Sequence, residues 1–247
     1  MADLLRINYH RLKNYLAYNN FVLGRTACLG QDVFNLKFNK TTSAKELINM
    51  QKVRADLFVD LANGKARPAA AVVGPFIARD NVYPFIVQQE KFEWGHPRKT
   101  ADWVLIDSFS ELTDQKFTHR TEGWSFCANY SDLDHSPEFM SLFENKGLLD
   151  PDELEQTYVN FFSTINRRFP GKKIVFIHFP TTLDLREKFV ERGDRIAKVI
   201  NRLAGTFKLT NLQIDARDVF PHSGDDFAYH FSTETQTAFL NKWNQAL

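Results

Sequence analysis

Cysteine is scarce in this chain: Cys28 and Cys127 are the only two among 247 residues. One pair makes no disulfide framework, and neither lies in the C-x-x-C spacing that structural zinc sites favour. A reducing compartment is expected. An excess of one charge is also missing. Thirty-one basic and 30 acidic residues leave a net charge of +1, so no global attraction for nucleic acid exists. No apolar run approaches the roughly 18 residues of a membrane-spanning helix. The opening MADLLRINYHRLKNYLAYNN lacks the unbroken apolar core of a signal peptide. A soluble, cytoplasmic protein is expected.

Several motifs are absent as well. There is no G-x-S-x-G elbow, which removes support for the α/β-hydrolase arrangement. There is no Walker loop, no G-x-G-x-x-G, and no H-x-H, H-E-x-x-H or D-x-D-x-D-G spacing. Phosphate cradling of the first two kinds and metal catalysis therefore rank below nucleophilic catalysis, and no metal is expected.

What is present is an ordinary globular composition, 43% hydrophobic and 25% charged. A chain of this length buries roughly 70–75% of its extended surface. One domain over 1–247 is expected. Phe is unusually frequent at 23 residues, which points to core and cleft lining. Leu4–Leu16, with Arg6, Arg11 and Lys13, reads as an amphipathic helix capping the core. Peripheral contact with an anionic inner-membrane surface is the alternative.

Phe21–Cys28 reads as a short strand. Ser43-Ala-Lys-Glu46 is a capping-box pattern and predicts a helix from Ala44 to about Leu61, ended by Asn63-Gly64. Arg67–Trp94 holds Pro68, Pro75 and Pro84, and reads as a loop-rich insertion (about 65–98) with one or two short strands. Then come a buried strand Asp102–Phe109, a helix Asp152–Phe169 and a strand Lys172–Pro180. A helix Leu185–Leu203 stopping at Gly205, a strand Leu209–Ala216 and a helix from Thr233 to Trp243 complete the pattern. Strands alternating with helices predict a three-layer α/β/α sandwich around a mainly parallel sheet. Chemistry belongs at the carboxyl ends of such strands.

Four strand ends are therefore candidates. Gly24-Arg25-Thr26-Ala27-Cys28-Leu29-Gly30-Gln31-Asp32 places a thiol on a strand-to-helix turn. Backbone N–H groups and the helix dipole there favour a thiolate and could hold an oxyanion. The plainer reading is a buried structural cysteine. Asp107-Ser108-Phe109-Ser110-Glu111 offers two carboxylates and two hydroxyls, with Ser108 or Ser110 a rival nucleophile and helix capping the plainer role. His178, inside a strand pattern, reads as a hydrogen-bonded core residue. Asp215–His230 is the richest segment, with His222, His230, Asp215, Asp218, Asp225 and Asp226. A general base needs an imidazole whose other nitrogen is held by a carboxylate. His230, anchored before the last helix, is preferred as base, with Asp226 or Asp225 as its orienter. Arg186, Lys188, Arg192 and Arg195 read mostly as a solvated helix face.

The order of these parts resembles SGNH-type (GDSL-type) hydrolases and acyltransferases. The closer resemblance is to a divergent SGNH-like group found with bacterial polysaccharide-biosynthesis loci, including WcbI-like capsule proteins. Cys28, Asp32 and Phe34 match that group's turn, whereas its Gly and Ser positions do not. Asp102-Trp-Val-Leu-Ile-Asp107 with Glu111, and Asp226-Phe-Ala-Tyr-His230-Phe, are similar in kind to its later motifs. The resemblance implies a flavodoxin-like fold. It also implies O-acetyl transfer from acetyl-CoA, as co-substrate, to a capsular or cell-surface polysaccharide. Cys28 would then be nucleophile, with His230 and Asp226 completing the catalytic set. Arg25, Gly30 and Gln31 would lie against coenzyme A, and Asp107, Ser108, Ser110 and His222 against the carbohydrate. A carbohydrate esterase and a non-catalytic polysaccharide-binding subunit are the alternatives.

Overall fold

The computed structural model describes residues 21–38, 45–92, 94, 101–224 and 227–246. The Leu4–Leu16 helix expected at the N-terminus, and both Asp225 and Asp226, lie outside them.

In chain order the first elements are β1 (Phe21–Arg25), α1 (Cys28–Phe38), β2 (Glu46–Asn49), α2 (Ala55–Ala62), α3 (Ala70–Val73), α4 (Tyr83–Lys91) and β3 (Trp103–Asp107). There follow α5 (Phe109–Thr113), β4 (Asp114–His119), β5 (Ser125–Asn129), α6 (Pro137–Leu142), β6 (Phe143–Asn145) and α7 (Leu154–Arg168). The chain closes with β7 (Lys173–Ile177), α8 (Glu187–Phe207), β8 (Leu209–Leu212) and α9 (Thr233–Gln245).

Five strands form a parallel sheet in the order β2-β1-β3-β7-β8. This is the doubly wound, flavodoxin-like order, in which the direction of winding reverses between β1 and β3. The centre of the sheet is apolar on both faces. Leu23 of β1 pairs with Val104 of β3, and Val104 with Ile174 of β7. All five β3 residues are buried, as a strand covered on both sides requires. Side chains alternate between the faces. Trp103 meets Trp243 of α9, which in turn packs on Phe38 of α1. On the other face Phe176 packs on Tyr158 and Phe162 of α7. Helices thus cover both faces and make three layers.

Beside this unit β4, β5 and β6 form an antiparallel sheet in the order β5-β4-β6. Its apolar face has its own cluster, in which Phe117, Phe126, Phe139 and Phe143 pack with Val73, Phe76 and Ile86. Five of the 23 phenylalanines pack here.

Three expectations change. Residues 46–49 are a strand, and the helix expected over 44–61 begins only at Ala55. Pairing with β1 through Phe21↔Glu46 and Leu23↔Ile48 outweighs the capping-box pattern. The 67–94 stretch forms short helices instead of strands, since Pro75 and Pro84 stand in first turns, where proline is tolerated. Ile77 makes only an isolated bridge to Leu133. Finally, α8 runs past Gly205 to Phe207 and ends where Lys208 adopts a left-handed conformation (φ 53°).

Candidate active site at the β1/β3 switch point

β1 ends at Arg25, and Cys28 is the first residue of α1. The turn between them is held tightly. Thr26 N–H donates to Asn49 Oδ1 at 3.0 Å, and Asn49 Nδ2 donates back to Thr26 O at 2.9 Å. Ala27 N–H donates to Asp107 Oδ2 at 2.7 Å. Gly30 is required by this close approach. A Cβ there would stand 2.6 Å from Thr26 Cβ and 3.1 Å from Asp107 Oδ2.

Asp107, at the end of β3, is buried beneath the turn and also accepts Phe109 N–H at 3.1 Å. Burial outweighs these hydrogen bonds and pushes its carboxyl up to about 7. Cys28 is half-buried. Burial first, then the negative charges of Asp107 and Asp32, push its thiol up to about 11, against the pull of backbone N–H groups at Cys28 and Leu29. The helix start alone therefore does not make a resting thiolate. Near pH 7 the thiol form therefore predominates. Any reaction at this sulfur needs a base to take the proton as the bond forms.

Two bases are at hand. A crevice of about 400 Å³ above the sheet edge is lined by Cys28, Asp32, His222, Tyr229, His230 and Gln236, among others. Both imidazoles are exposed to solvent. The loop that carries them is closed on itself: His222 N–H donates to His230 O at 2.9 Å, Ser232 N–H donates to Phe220 O at 3.0 Å, and Pro221 bridges Phe231. Tyr229 anchors it from below. Its hydroxyl donates to Asp184, which Arg186 grips through Nε and Nη2 at 2.8 Å each. Those contacts hold the Asp184 carboxyl down at about 2, the Arg186 hydrogen bonds most of all. The Tyr229 carbonyl in turn accepts from Cys28 Sγ at 3.8 Å.

Asp32 supplies the carboxylate. It stands four residues after Cys28 and so lies on the same face of α1. Gln236 Nε2 donates to its Oδ2 at 3.1 Å. Burial raises its pKa, and the two imidazoles pull it back, His230 more strongly than His222. Asp226 and Asp225, the orienters expected from the sequence, lie outside the described residues, and Asp32 is the carboxylate that lines the crevice. Its signal was the i, i+4 spacing from Cys28.

The crevice thus gathers Cys28, His222 and His230, with Asp107 below the turn. Other expected residues go elsewhere. Arg25 is turned into the interior, where its Nη1 and Nη2 reach Glu111 at 2.7 and 3.0 Å and the carbonyls of Val53 and Asp107. Tyr158 OH donates to the same carboxylate at 3.0 Å. Ala55 N–H, at the start of α2, donates to it as well at 2.7 Å, so this network pins β1, α2, α5 and α7 together instead of facing a ligand. Gln31 donates to Asn35 along α1 at 3.3 Å. Ser108 Oγ accepts Phe179 N–H at 2.9 Å, and Ser110 is buried beside Asp114. His178 is buried and neutral, its pKa pushed down to about 4 chiefly by burial.

No protein-family model and no curated protein sequence matches this chain. Among solved structures it is similar to a putative GDSL-like lipase from Bacteroides ovatus ATCC 8483 (12% identity, TM-score 0.46, 92% of this chain and 52% of that one). It is also similar to phospholipase A1 from Streptomyces albidoflavus NA297 (10% identity, TM-score 0.48, 92% of this chain and 98% of that one). The chain spans about half the length of the first protein and nearly all of the second. The likeness is one of general architecture, and the fold assignment rests on the strand order above. Among the described residues no helix is long and apolar enough to cross a membrane.

Proposed function

We propose that this protein is a cysteine-dependent ester hydrolase acting on a carbohydrate ester. The observation that carries the reading is the crevice shared by Cys28 at a helix start, His230, His222 and Asp32, whose carboxylate feels the charge of both rings. His230 takes the Cys28 proton as Sγ attacks the ester carbonyl. An S–C bond forms, the ester C–O bond breaks, and the imidazolium returns its proton to the departing alkoxide. Water, deprotonated by His230, then attacks the thioester. A C–O bond forms, the S–C bond breaks, and the thiolate recovers a proton from the ring. Asp32 steadies the imidazolium in both halves. Ala27 N–H is occupied by Asp107, so the oxyanion falls to the N–H groups of Cys28 and Leu29, each worth ~3 kcal/mol in comparable sites. Exposed imidazoles beside an open crevice favour water as acceptor.

A second reading is favoured by the nucleophile itself. A thiol exchanges readily with a thioester, which suits an acetyl-CoA donor and a capsular-polysaccharide acceptor. No Lys or Arg is among the described residues that line this crevice, so coenzyme A phosphates would have to be held beyond it.

Intact-protein mass spectrometry on wild type and His230→Ala, after brief exposure to p-nitrophenyl acetate or acetyl-CoA, tests both. The ester reading expects one acetyl group on Cys28 from p-nitrophenyl acetate, forming more slowly in His230→Ala, which lacks the base. An adduct from acetyl-CoA alone, released only on adding a sugar acceptor, selects the transferase. An adduct on Ser108 or Ser110, or turnover retained in Cys28→Ala, overturns the cysteine mechanism.

A further inference from the structure

A second cavity, about 670 Å³, lies between α2, the antiparallel sheet and the segment leading into α7. Its lining shares no residue with the Cys28 crevice. Arg192 of α8 stands in its wall. The other arginines of that region follow the expected pattern of a solvated helix face. Arg186, Arg195 and Arg202 are each more than half exposed, and each meets a carboxylate: Asp184, Asp152 and Glu155. Arg192 differs on both counts. It is 9% exposed, and among the described residues its one hydrogen bond runs from Nη1 to Leu149 O at 2.5 Å, with no carboxylate in ion-pair range. Burial and the nearby Arg54 charge lower its pKa. Asp150, in the same lining, and Glu111 offset this in part, but neither pairs with it directly; a buried cation with no direct ion pair is costly, and an anion arriving in the cavity would relieve it.

The remaining lining limits what that anion is attached to. Arg54 holds Asp56 through Nε and Nη2, and Lys116 reaches both Asp56 and Asp60. These paired carboxylates are fixed hydrogen-bond acceptors. Thr118 and Ser125 present hydroxyls 2.9 Å apart. One guanidinium with no direct ion pair, among rigid acceptors and hydroxyls, is the complement of a ligand with one oxyanion and several hydroxyl groups. The volume is within the range of ligand sites and admits more than one sugar ring.

We infer that this cavity binds an acidic sugar, its carboxylate on Arg192 and its hydroxyls on Asp56, Asp60, Thr118 and Ser125. The inference does not depend on the chemistry at Cys28.

Isothermal titration calorimetry on the full chain tests it, at constant ionic strength. The probes are a glucuronic-acid-containing disaccharide, the same disaccharide with its carboxyl reduced, and inorganic phosphate. The acidic disaccharide should bind at least tenfold more tightly than the reduced one. Arg192→Met, which keeps most of the buried stem, should lose at least tenfold in affinity. Thr118→Val should lose several-fold, and stands in if Arg192→Met does not fold. Cys28→Ala should bind as wild type, which separates this site from the proposed ester chemistry. Equal affinity for the acidic and reduced disaccharides, or no binding by wild type, overturns the inference. Phosphate binding tighter than the acidic disaccharide overturns the sugar assignment and makes the site one for a phosphorylated ligand.

Discussion

Cys28 opens a helix above the carboxyl edge of the parallel sheet. Cys127 lies in β5, at the edge of the antiparallel one. Burial raises both thiols, to about 11 and about 12. Their surroundings differ in access and in proton acceptors. Cys28 shares an open crevice with two exposed imidazoles and a carboxylate. Cys127 is wholly buried, and the Gln89 side chain closes the strand over it. Gln89 Oε1 accepts Cys127 N–H at 2.9 Å, and Gln89 Nε2 donates to Cys127 O at 2.8 Å. A side-chain amide here takes the place of the next strand and blocks an edge that would otherwise invite pairing. A resting pKa therefore does not separate a reactive thiol from a structural one. A base within reach and a path for the substrate do.

The largest effect should come from exchanging the two thiols' fates. Cys28→Ala should lower ester turnover by ~10³-fold or more, as loss of a nucleophile does. Cys127→Ala should leave turnover within about twofold and lower stability by ~1 kcal/mol, read from steady-state rates and urea denaturation. Equal losses in both would break the comparison.

Next in size is alkylation. Iodoacetamide at pH 8 should modify Cys28 at least about a hundredfold faster than Cys127, because only one sulfur can be reached without local unfolding. Peptide mass mapping over time measures the ratio.

Asp107→Asn sharpens the electrostatic half. The amide oxygen can still accept Ala27 N–H, while the charge that helps raise the Cys28 thiol is removed. Alkylation of Cys28 at pH 8 should quicken several-fold as the thiol pKa falls. The variant also has a stability signature. The folded carboxyl titrates near 7 against 3.8 in its ordinary state. The folded state therefore holds the proton more tightly, and wild-type stability falls as pH rises from about 4 to about 7. At ~1.4 kcal/mol per unit the upper bound is a few kcal/mol. Asp107→Asn should flatten this slope and gain on wild type above pH 7. Chemical denaturation at pH 4.5 and 8 reads it, and an unchanged slope would place the titration elsewhere.

Gln89→Leu should have the smallest effect on chemistry. Leaving two buried backbone groups of Cys127 unsatisfied costs ~1–3 kcal/mol, seen as a lower denaturation midpoint. Turnover at Cys28 should stay unchanged.

The legible parts of the fold were those with one dominant local signal. The runs Trp103–Ile106 and Ile174–Ile177 are unbroken apolar segments, and both lie in central strands. The long amphipathic patterns became α7 and α8. The edge strand β2 was not legible, because Leu47 and Ile48 fit a helical spacing as well as a strand, and pairing with β1 decided it. The antiparallel sheet over 114–145 went unread. Its pairs, such as Phe117↔Phe126 and Thr118↔Glu144, join residues whose local spacing carries no strong period. In the site, Cys28 at the start of a helix after β1 could be read from the chain, and so could a histidine loop before the last helix. The direction of Arg25 could not. A cation beside the cysteine reads as a ligand contact until Glu111, 86 residues away, is seen to hold it.

The sequence by itself determined an alternating α/β chain, because apolar periodicity is written within short windows. It also placed a thiol, carboxylates and imidazoles where a parallel sheet gathers its strand ends. Tertiary structure alone decided which of these face one another. It buried Arg25, Glu111 and Asp107, gathered Asp32 and the two histidines into one crevice, and left Arg192 in a cavity wall with no ion-pair partner among the described residues. Burial and charge pairing depend on groups far apart in the chain, and only the packed core brings them within reach.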